Sequence, residues 1–412
     1  MRGGIGYSYR MPEQPLPRTV PPFDRIIHIG APKCGSTTLQ ALWNANRAEL
    51  EKAGVHYVGN RTHWAAPAKA VSGVKQRIAG VVPPISHWEA LTKEVGATTE
   101  RLALISSEWY ASAPAEPVQR IVRDLGRDRM HAVLVVRPIA KTLPSAWQQR
   151  LKFGYRSSFS HFLAKLLNDD YPRGNAAHDL KARFWLKHRY DEIAMRWADA
   201  LGPDRVTVIV ADERNRPFVV DSFSSILGVD PAKMTILPPK TNPSLSKFEA
   251  EVLLKINQKY AELGGTQTNY KKLVWRTFDG FVNHLQETTS ERTRIPEESA
   301  KEVERVSLEI ERGLRESGVR IIGDLTLFSE PVNTENTDAS RAELDQQKEK
   351  VTSAANMVIA TMITSGMLQP KEQMPGFSIN LLLFRFQIGA LLRRGIYTIQ
   401  TARKKIRKQK LR

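Results

Sequence analysis

Four short apolar runs rich in β-branched residues punctuate the chain: IIHIG at 26–30, LALIS at 102–106, HAVLVV at 131–136 and RVTVIVA at 205–211. Their apolar positions are consecutive rather than alternating, as in strands covered on both faces of a parallel sheet. Between them the apolar positions recur at helical spacing. In residues 178–201, HDLKARFWLKHRYDEIAMRWADAL, the side chains of Leu180, Phe184, Tyr190, Ile193, Met195 and Trp197 fall on roughly one side, with charges between them. This alternation predicts an α/β fold, a doubly wound, mainly parallel sheet with flanking helices that gathers ligands at the carboxyl ends of its strands. Around 331–350, PVNTENTDASRAELDQQKEK, apolar content falls and a linker is expected. The chain then divides into a Gly- and Pro-rich lead-in over 1–24, an α/β domain over 25–330, that linker, and a helical tail over 351–412. No internal repeat is present.

Composition narrows the partners. With 412 residues and 41% hydrophobic content the chain can bury a large core, which excludes a disordered protein. Its one cysteine, Cys34, excludes a disulfide framework and a thiolate metal site, so a reducing compartment and no bound metal are expected. The first 25 residues hold no apolar signal core. The nearest approach to a membrane span, GFSINLLLFRFQIGALL at 376–392, is interrupted by Arg385, so a cytoplasmic location is expected. A formal charge of +18 asks for an anionic partner: a nucleotide, an acidic substrate, nucleic acid or a phospholipid surface.

Much of that charge lies in the tail. Residues 339–412 carry 14 Lys and Arg against 4 Asp and Glu, and the last twelve, TARKKIRKQKLR, include seven basic residues. The preceding apolar stretch holds Phe377, Leu381, Phe384, Phe386 and Leu391. An apolar face followed by a polybasic end suits an interfacial helix on an anionic membrane, which would place the protein peripherally at the inner membrane surface. A solvated tail, a helix packed on the α/β domain and an oligomer contact suit the same letters. No nucleic-acid motif accompanies the charge, and nucleic acid is not expected as a partner.

The chemistry concentrates after the first run, in HIGAPKCGSTTLQ at 28–40. A glycine turn leading into a helix aims backbone N–H groups and the positive end of the helix dipole at one spot, where a phosphate can sit. The ATP-type loop places lysine directly after its second glycine, with a hydroxyl residue holding magnesium. Here Lys33 precedes Gly35, and Ser36, Thr37 and Thr38 follow. That order fits a 5′-phosphosulfate, cradled by lysine and hydroxyls without a bridging metal, better than ATP. A glycine turn that merely caps a helix would read similarly. A second constellation follows the third run: Arg137 ends the strand and Ser145 lies eight residues on, a guanidinium fork and a hydroxyl suited to a terminal phosphate.

PKCGSTTL resembles the 5′-phosphosulfate loop of sulfotransferases, and RPIAKTLPS is similar to their 3′-phosphate segment. The resemblance is closest to a bacterial sulfotransferase-like branch. It extends through NRAELEKAGVHYVG, SSEWY, LPSAWQQRLKFG, RWADALGPDRVTVIV and NPSLSKFEAEVLLKIN, from about residue 25 to residue 260. It departs in two places: Arg137 is followed directly by Pro138, and the loop reads C-G-S-T where S-G-T-T is common. The resemblance implies the P-loop sulfotransferase-like fold and transfer of a sulfuryl group from 3′-phosphoadenylyl sulfate (PAPS) to a hydroxyl or amine; carbohydrate, glycolipid, small phenol and peptide acceptors all stay open. Lys33, Cys34, Gly35, Ser36, Thr37, Thr38, Arg137 and Ser145 would bind the nucleotide.

Sulfuryl transfer needs positive charge on the bridging oxygen and a base for the acceptor's proton. Lys33 suits the first role. For the second, Glu108 in LALISSEWYA lies just past a predicted strand, and carbohydrate-modifying sulfotransferases are similar in using a glutamate there; an exposed loop carboxylate is the plainer alternative. His63, in the loop GNRTHWAAPAKA, is the rival base. His28 reads as a packed strand residue and His178 and His188 as helical ones. Ser106 and Ser107 can assist the nucleotide or the acceptor, while Trp109 and Tyr110 either stack on a sugar or cover the core. Cys34 has no base beside it in sequence. A non-catalytic nucleotide- or anion-binding protein on the same fold, or a phosphoryl transferase, are the other readings; the latter would require magnesium and ATP.

Overall fold

The four apolar runs are strands, and two three-residue strands that the pattern did not mark join them: β1 (Arg25–Gly30), β2 (Val55–Tyr57), β3 (Leu102–Ser106), β4 (Met130–Val136), β5 (Val206–Val210) and β6 (Arg320–Ile322). The structure, a computed structural model, describes residues 23–59, 64–76, 80–167, 180–235, 244–270, 274, 277–278, 291–335, 340–365 and 368. The strands form one sheet in the order β2-β3-β1-β4-β5-β6, with every neighbouring pair parallel. Every residue of β4 and β5 is buried, so both faces of the sheet's centre are covered. The fold is the expected doubly wound α/β sheet. From β1 the chain goes on to β2 and β3 on one side, whereas from β4 it goes on to β5 and β6 on the other. The strand order therefore reverses between β1 and β4, the place where open sheets of this kind leave a crevice for ligands.

In chain order the helices up to residue 262 are α1 (Ser36–Ala45), α2 (Arg47–Lys52), α3 (Ala65–Val71), α4 (Ser86–Gly96), α5 (Ala115–Leu125), α6 (Ile139–Leu151), α7 (Phe159–Leu167), α8 (Leu180–His188), α9 (Tyr190–Leu201), α10 (Phe218–Leu227) and α11 (Lys247–Glu262). The helical pattern read over 178–201 is thus two helices, parted at Arg189, whose ψ of 83° leaves the helical region. The Arg189 guanidinium is pinned at this break by Asp191 (2.7 Å) and Glu309 (3.2 Å). Phe184, Tyr190, Ile193 and Trp197 turn inward as expected, but Met195 is exposed.

The chain forms two compact units. One comprises the described residues from 23 to 145 and those within 163–242 and 295–334, and holds the whole sheet. The other comprises the described residues within Ala146–Phe162, 243–294 and 335–368. In the second unit α11 packs against a helix over Arg341–Thr364. The expected linker over 331–350 is therefore helical from Arg341 onward. Its low apolar content reflects a polar first half: a reciprocal capping box joins Ser340 and Glu343, and the buried Val351, Ala355, Val358, Ile359 and Met362 follow only afterwards. The same unit is tied by Asn257, whose amide donates to the carbonyls of Leu151 and Tyr155 (both 2.9 Å).

Among the described residues no helix is long and apolar enough to cross a membrane. The lead-in up to residue 22 and the apolar, basic stretch from 369 onward lie outside the described residues.

Candidate functional site

Three adjacent strands, β3, β1 and β4, bring the candidate chemistry to one edge of the sheet. β1 ends at Gly30, and the chain turns through Lys33 (φ 71°) and Gly35 (φ 96°) into α1. Lys33 is the one non-glycine residue with positive φ among the described residues, and such backbone costs of order 1 kcal/mol and concentrates at functional sites. Ala31 N–H still donates to the Val135 carbonyl of β4 (2.8 Å), which anchors the loop to the neighbouring strand. Inside the loop the Ser36 hydroxyl donates to the Ala31 carbonyl (3.2 Å) and is buried, while Thr37 and Thr38 are exposed. The N–H groups of Ser36 and Thr37 precede the first bonds of α1, which run from Thr38 and Leu39 N–H to the Gly35 carbonyl (3.0 and 3.2 Å), and lie at the positive end of its dipole, close to Lys33 in the chain.

Across the reversal of strand order, Arg137 follows β4. Its Nε donates to the Thr142 hydroxyl (3.2 Å), its Nη2 to the Lys141 carbonyl (2.7 Å), and its Nη1 to Glu213 Oε1 (2.9 Å). The fork is thus held on the first turn of α6 and faces a carboxylate from the segment after β5. Ser145, three residues beyond Thr142 on α6, is half-buried, and Thr142 supplies the hydroxyl that accepts from the fork.

The loop and the fork are joined from beneath. Thr142 Oγ1 lies 3.2 Å from the Tyr190 hydroxyl, which lies 3.7 Å from Cys34 Sγ. Tyr190 is fully buried, and burial pushes both its phenol and the Cys34 thiol upward, so both keep their protons. Cys34 is therefore a neutral packing group under the loop, in keeping with the lack of a base beside it. Sequence reasoning missed Thr142, Tyr190 and Glu213. For Tyr190 there was a signal, since a phenol on an apolar helical stripe needs a buried partner for its hydroxyl.

On the other side of β1, Glu108 opens a 3₁₀ turn (Glu108–Ser112) directly after β3, capped by the Ser107 hydroxyl, which accepts from Trp109 N–H. Its backbone packs on the start of the loop: a Cβ at Gly30 would lie 3.2 Å from Glu108 Cα and 3.3 Å from its carbonyl oxygen. Glu108 is half-buried. Close by is Tyr57 at the end of β2, whose phenol burial pushes up to about 12; Arg47 opposes that rise, and the Glu108 charge adds to it. The Ser106 hydroxyl accepts from Gln40 Nε2 (3.1 Å) and meets His28 Nδ1 (2.8 Å).

His28 has no solvent exposure and packs edge-on against Trp43 and Phe223. Burial takes its imidazole down to about 3, so it is a neutral core residue, as expected. His188 is buried on α8, stacked 4.2 Å from Phe184. His63 and His178 lie outside the described residues. Tyr110 is core. Trp109 is half-buried, with the ammonium groups of Lys69 and Lys187 over its ring at 4.0 and 4.7 Å from the centroid. Among the described residues no group of three or more His, Cys, Asp or Glu is arranged to hold a metal ion.

No family model and no curated protein matches the chain. Among solved structures it is similar to a sulfotransferase from Alicyclobacillus acidocaldarius, at 17% identity and a TM-score of 0.37, over 59% of this chain and 93% of that one. A likeness of that size carries none of the functional reading, which rests on the sequence motifs and the site.

Proposed function

We propose that the protein is a sulfotransferase that moves a sulfuryl group from PAPS to a hydroxyl or amine acceptor, with a carbohydrate hydroxyl as the favoured class. The observation that carries this reading is the convergence of three chemically distinct groups at the ends of three adjacent strands: the Lys33 loop, the Arg137 fork and the Glu108 carboxylate. The loop and the fork flank the reversal between β1 and β4, where a nucleotide can lie with one phosphate end on each. PAPS would supply the sulfuryl group, held by Lys33 and the α1 N–H groups at its 5′ end and by Arg137 at its 3′-phosphate.

The chain's own residues do the rest. Lys33, held in a left-handed conformation, brings a positive charge to the loop, where it would offset the negative charge that grows on the leaving phosphate. Glu108, on the opposite flank of β1, would accept the acceptor's proton as its oxygen or nitrogen bonds to sulfur and the sulfur–phosphate oxygen bond breaks. Tyr190 and Thr142 hold the loop and the fork at a set spacing. Calorimetry on the full chain tests the reading. Adenosine 3′,5′-bisphosphate (PAP) should bind in the presence of a chelator, and ATP with magnesium should bind more weakly; the reverse order would favour a phosphoryl transferase.

A further inference from the structure

The hydrogen bonds beneath the Arg137 fork and the Lys33 loop have a direction that donor counting fixes. A guanidinium can only donate, so Thr142 Oγ1 accepts from Arg137 Nε (3.2 Å). Among the described residues the Tyr190 hydroxyl is the other partner of Thr142 (3.2 Å), so the proton of the threonine goes to it. The Tyr190 proton is then left for Cys34 Sγ (3.7 Å), and the thiol proton for the Pro32 carbonyl of the loop (3.7 Å). The Arg137 backbone meets the same sulfur. Thr142, Tyr190 and Cys34 are all buried, and each spends its one side-chain proton in a chain that runs from the fork to the loop. Tyr190 is itself held from below. It opens α9 directly after the break at Arg189, with its ring edge-on to His188 and Phe328 at 6.3 and 6.2 Å between centroids.

We infer that this chain is the device by which the site prefers a nucleotide bisphosphate to a monophosphate, with Tyr190 as its positioning residue. The inference rests on the sulfotransferase reading and deepens it. A nucleotide with a phosphate at each end gains from its second contact only as far as the loop and the fork are already held at the matching spacing, whereas a monophosphate uses one end and is indifferent to that spacing. Burial keeps the phenol and the thiol protonated, so the chain adds no charge that would compete with the ligand. The departure of the loop from the common S-G-T-T acquires a use as well. Sulfur at Cys34 makes contacts of 3.7 Å on both sides, which the shorter reach of a serine oxygen, about 2.5–3.0 Å, would leave open.

The test is calorimetry on the full chain with PAP, adenosine 5′-monophosphate and adenosine 3′-monophosphate, a chelator being present. The unaltered chain should hold PAP at least about a hundredfold more tightly than either monophosphate. Tyr190→Phe removes one oxygen from the core, so PAP should bind roughly 3- to 10-fold more weakly while both monophosphates change by less than about twofold. Cys34→Ala should show the same split, and the double variant should hold PAP within about twofold of the weaker single variant, because one chain cut twice loses little more. A loss shared equally by the three nucleotides would make Tyr190 a general scaffold and overturn the inference. So would unchanged PAP affinity in Tyr190→Phe, losses that multiply in the double variant, or PAP held no more tightly than the monophosphates by the unaltered chain. Should Tyr190→Phe fail to fold, Cys34→Ala, which leaves the contact between Thr142 and Tyr190 in place, decides by the same split. Failure of PAP to bind the unaltered chain would instead overturn the sulfotransferase reading, so the two failures are separate.

Discussion

A nucleotide phosphate arriving at Arg137 meets a carboxylate already there. Glu213 takes one Nη1 proton of the fork at 2.9 Å, while Nε and Nη2 are committed to Thr142 and the Lys141 carbonyl, so Glu213 is the partner a phosphate would displace. The Arg137 side chain is 16% exposed and that of Glu213 is 55% exposed, which puts the pair among surface ion pairs worth about 0.2–1 kcal/mol. Glu213→Gln removes that competition, and PAP affinity should rise by roughly 1.5- to 5-fold. Arg137→Ala removes a charge-assisted contact of about 1.5–3 kcal/mol and should weaken PAP by roughly 10- to 150-fold. Arg137→Lys keeps a charge but loses the fork, and should fall between. Titration calorimetry at low and physiological salt reads all three. Unchanged affinity in Arg137→Ala would remove the 3′-phosphate assignment, and weaker binding in Glu213→Gln would show that Glu213 supports the nucleotide instead of competing with it.

Once an acceptor is in hand, Glu108→Gln should leave PAP affinity intact and lower turnover by roughly 10²–10⁴-fold, whereas near-normal turnover would pass the base role to His63. Stability should depend on acidity through His28 and His131, which burial holds down at about 3 and about 4, in the latter case with help from Arg320 and Arg205. Both stay neutral in the fold and protonate near 6.5 when unfolded, so their contribution is complete above about pH 6.5 and declines below it, by up to about 1.4 kcal/mol per pH unit for each. Urea midpoints at pH 7.5 and 5 should show the decline, and His131→Gln should flatten it. The full chain should sediment with vesicles containing anionic lipid and a chain ending at Leu368 should not, with high salt releasing only part because apolar insertion is unscreened; complete release at high salt would indicate a purely electrostatic tail.

The sheet's centre was legible because β1, β3, β4 and β5 are buried on both faces and so leave apolar runs of four or more residues interrupted at most by a single His or Thr. VHY of β2 and RII of β6 lie at the two edges, and three residues with a polar or charged member leave no such trace. Lys33, Arg137 and Glu108 could be placed from sequence because each follows a readable strand, and a parallel sheet puts all such ends on one edge. Their partners could not be. Tyr190 meets Cys34 across 156 positions and Glu213 meets Arg137 across 76, pairings that exist only once the sheet has been ordered. The helix at Arg341 hid for the opposite reason: its opening turns lack the apolar stripe on which a helix is usually recognised, and only the Ser340/Glu343 cap marked its start.

The contact at Gly30 bears on how this site can change over time. Any side chain there would press on the backbone of Glu108 at 3.2 Å and would also have to adopt a φ of 116°. The end of one strand and the turn after its neighbour therefore fit as a single casting, although 78 residues separate them in the chain. In a saturation library position 30 should tolerate almost nothing, while the exposed Thr37 and Thr38 accept many replacements without loss of fold. Replacements elsewhere around the site would then leave the spacing between Glu108 and the Lys33 loop as it stands.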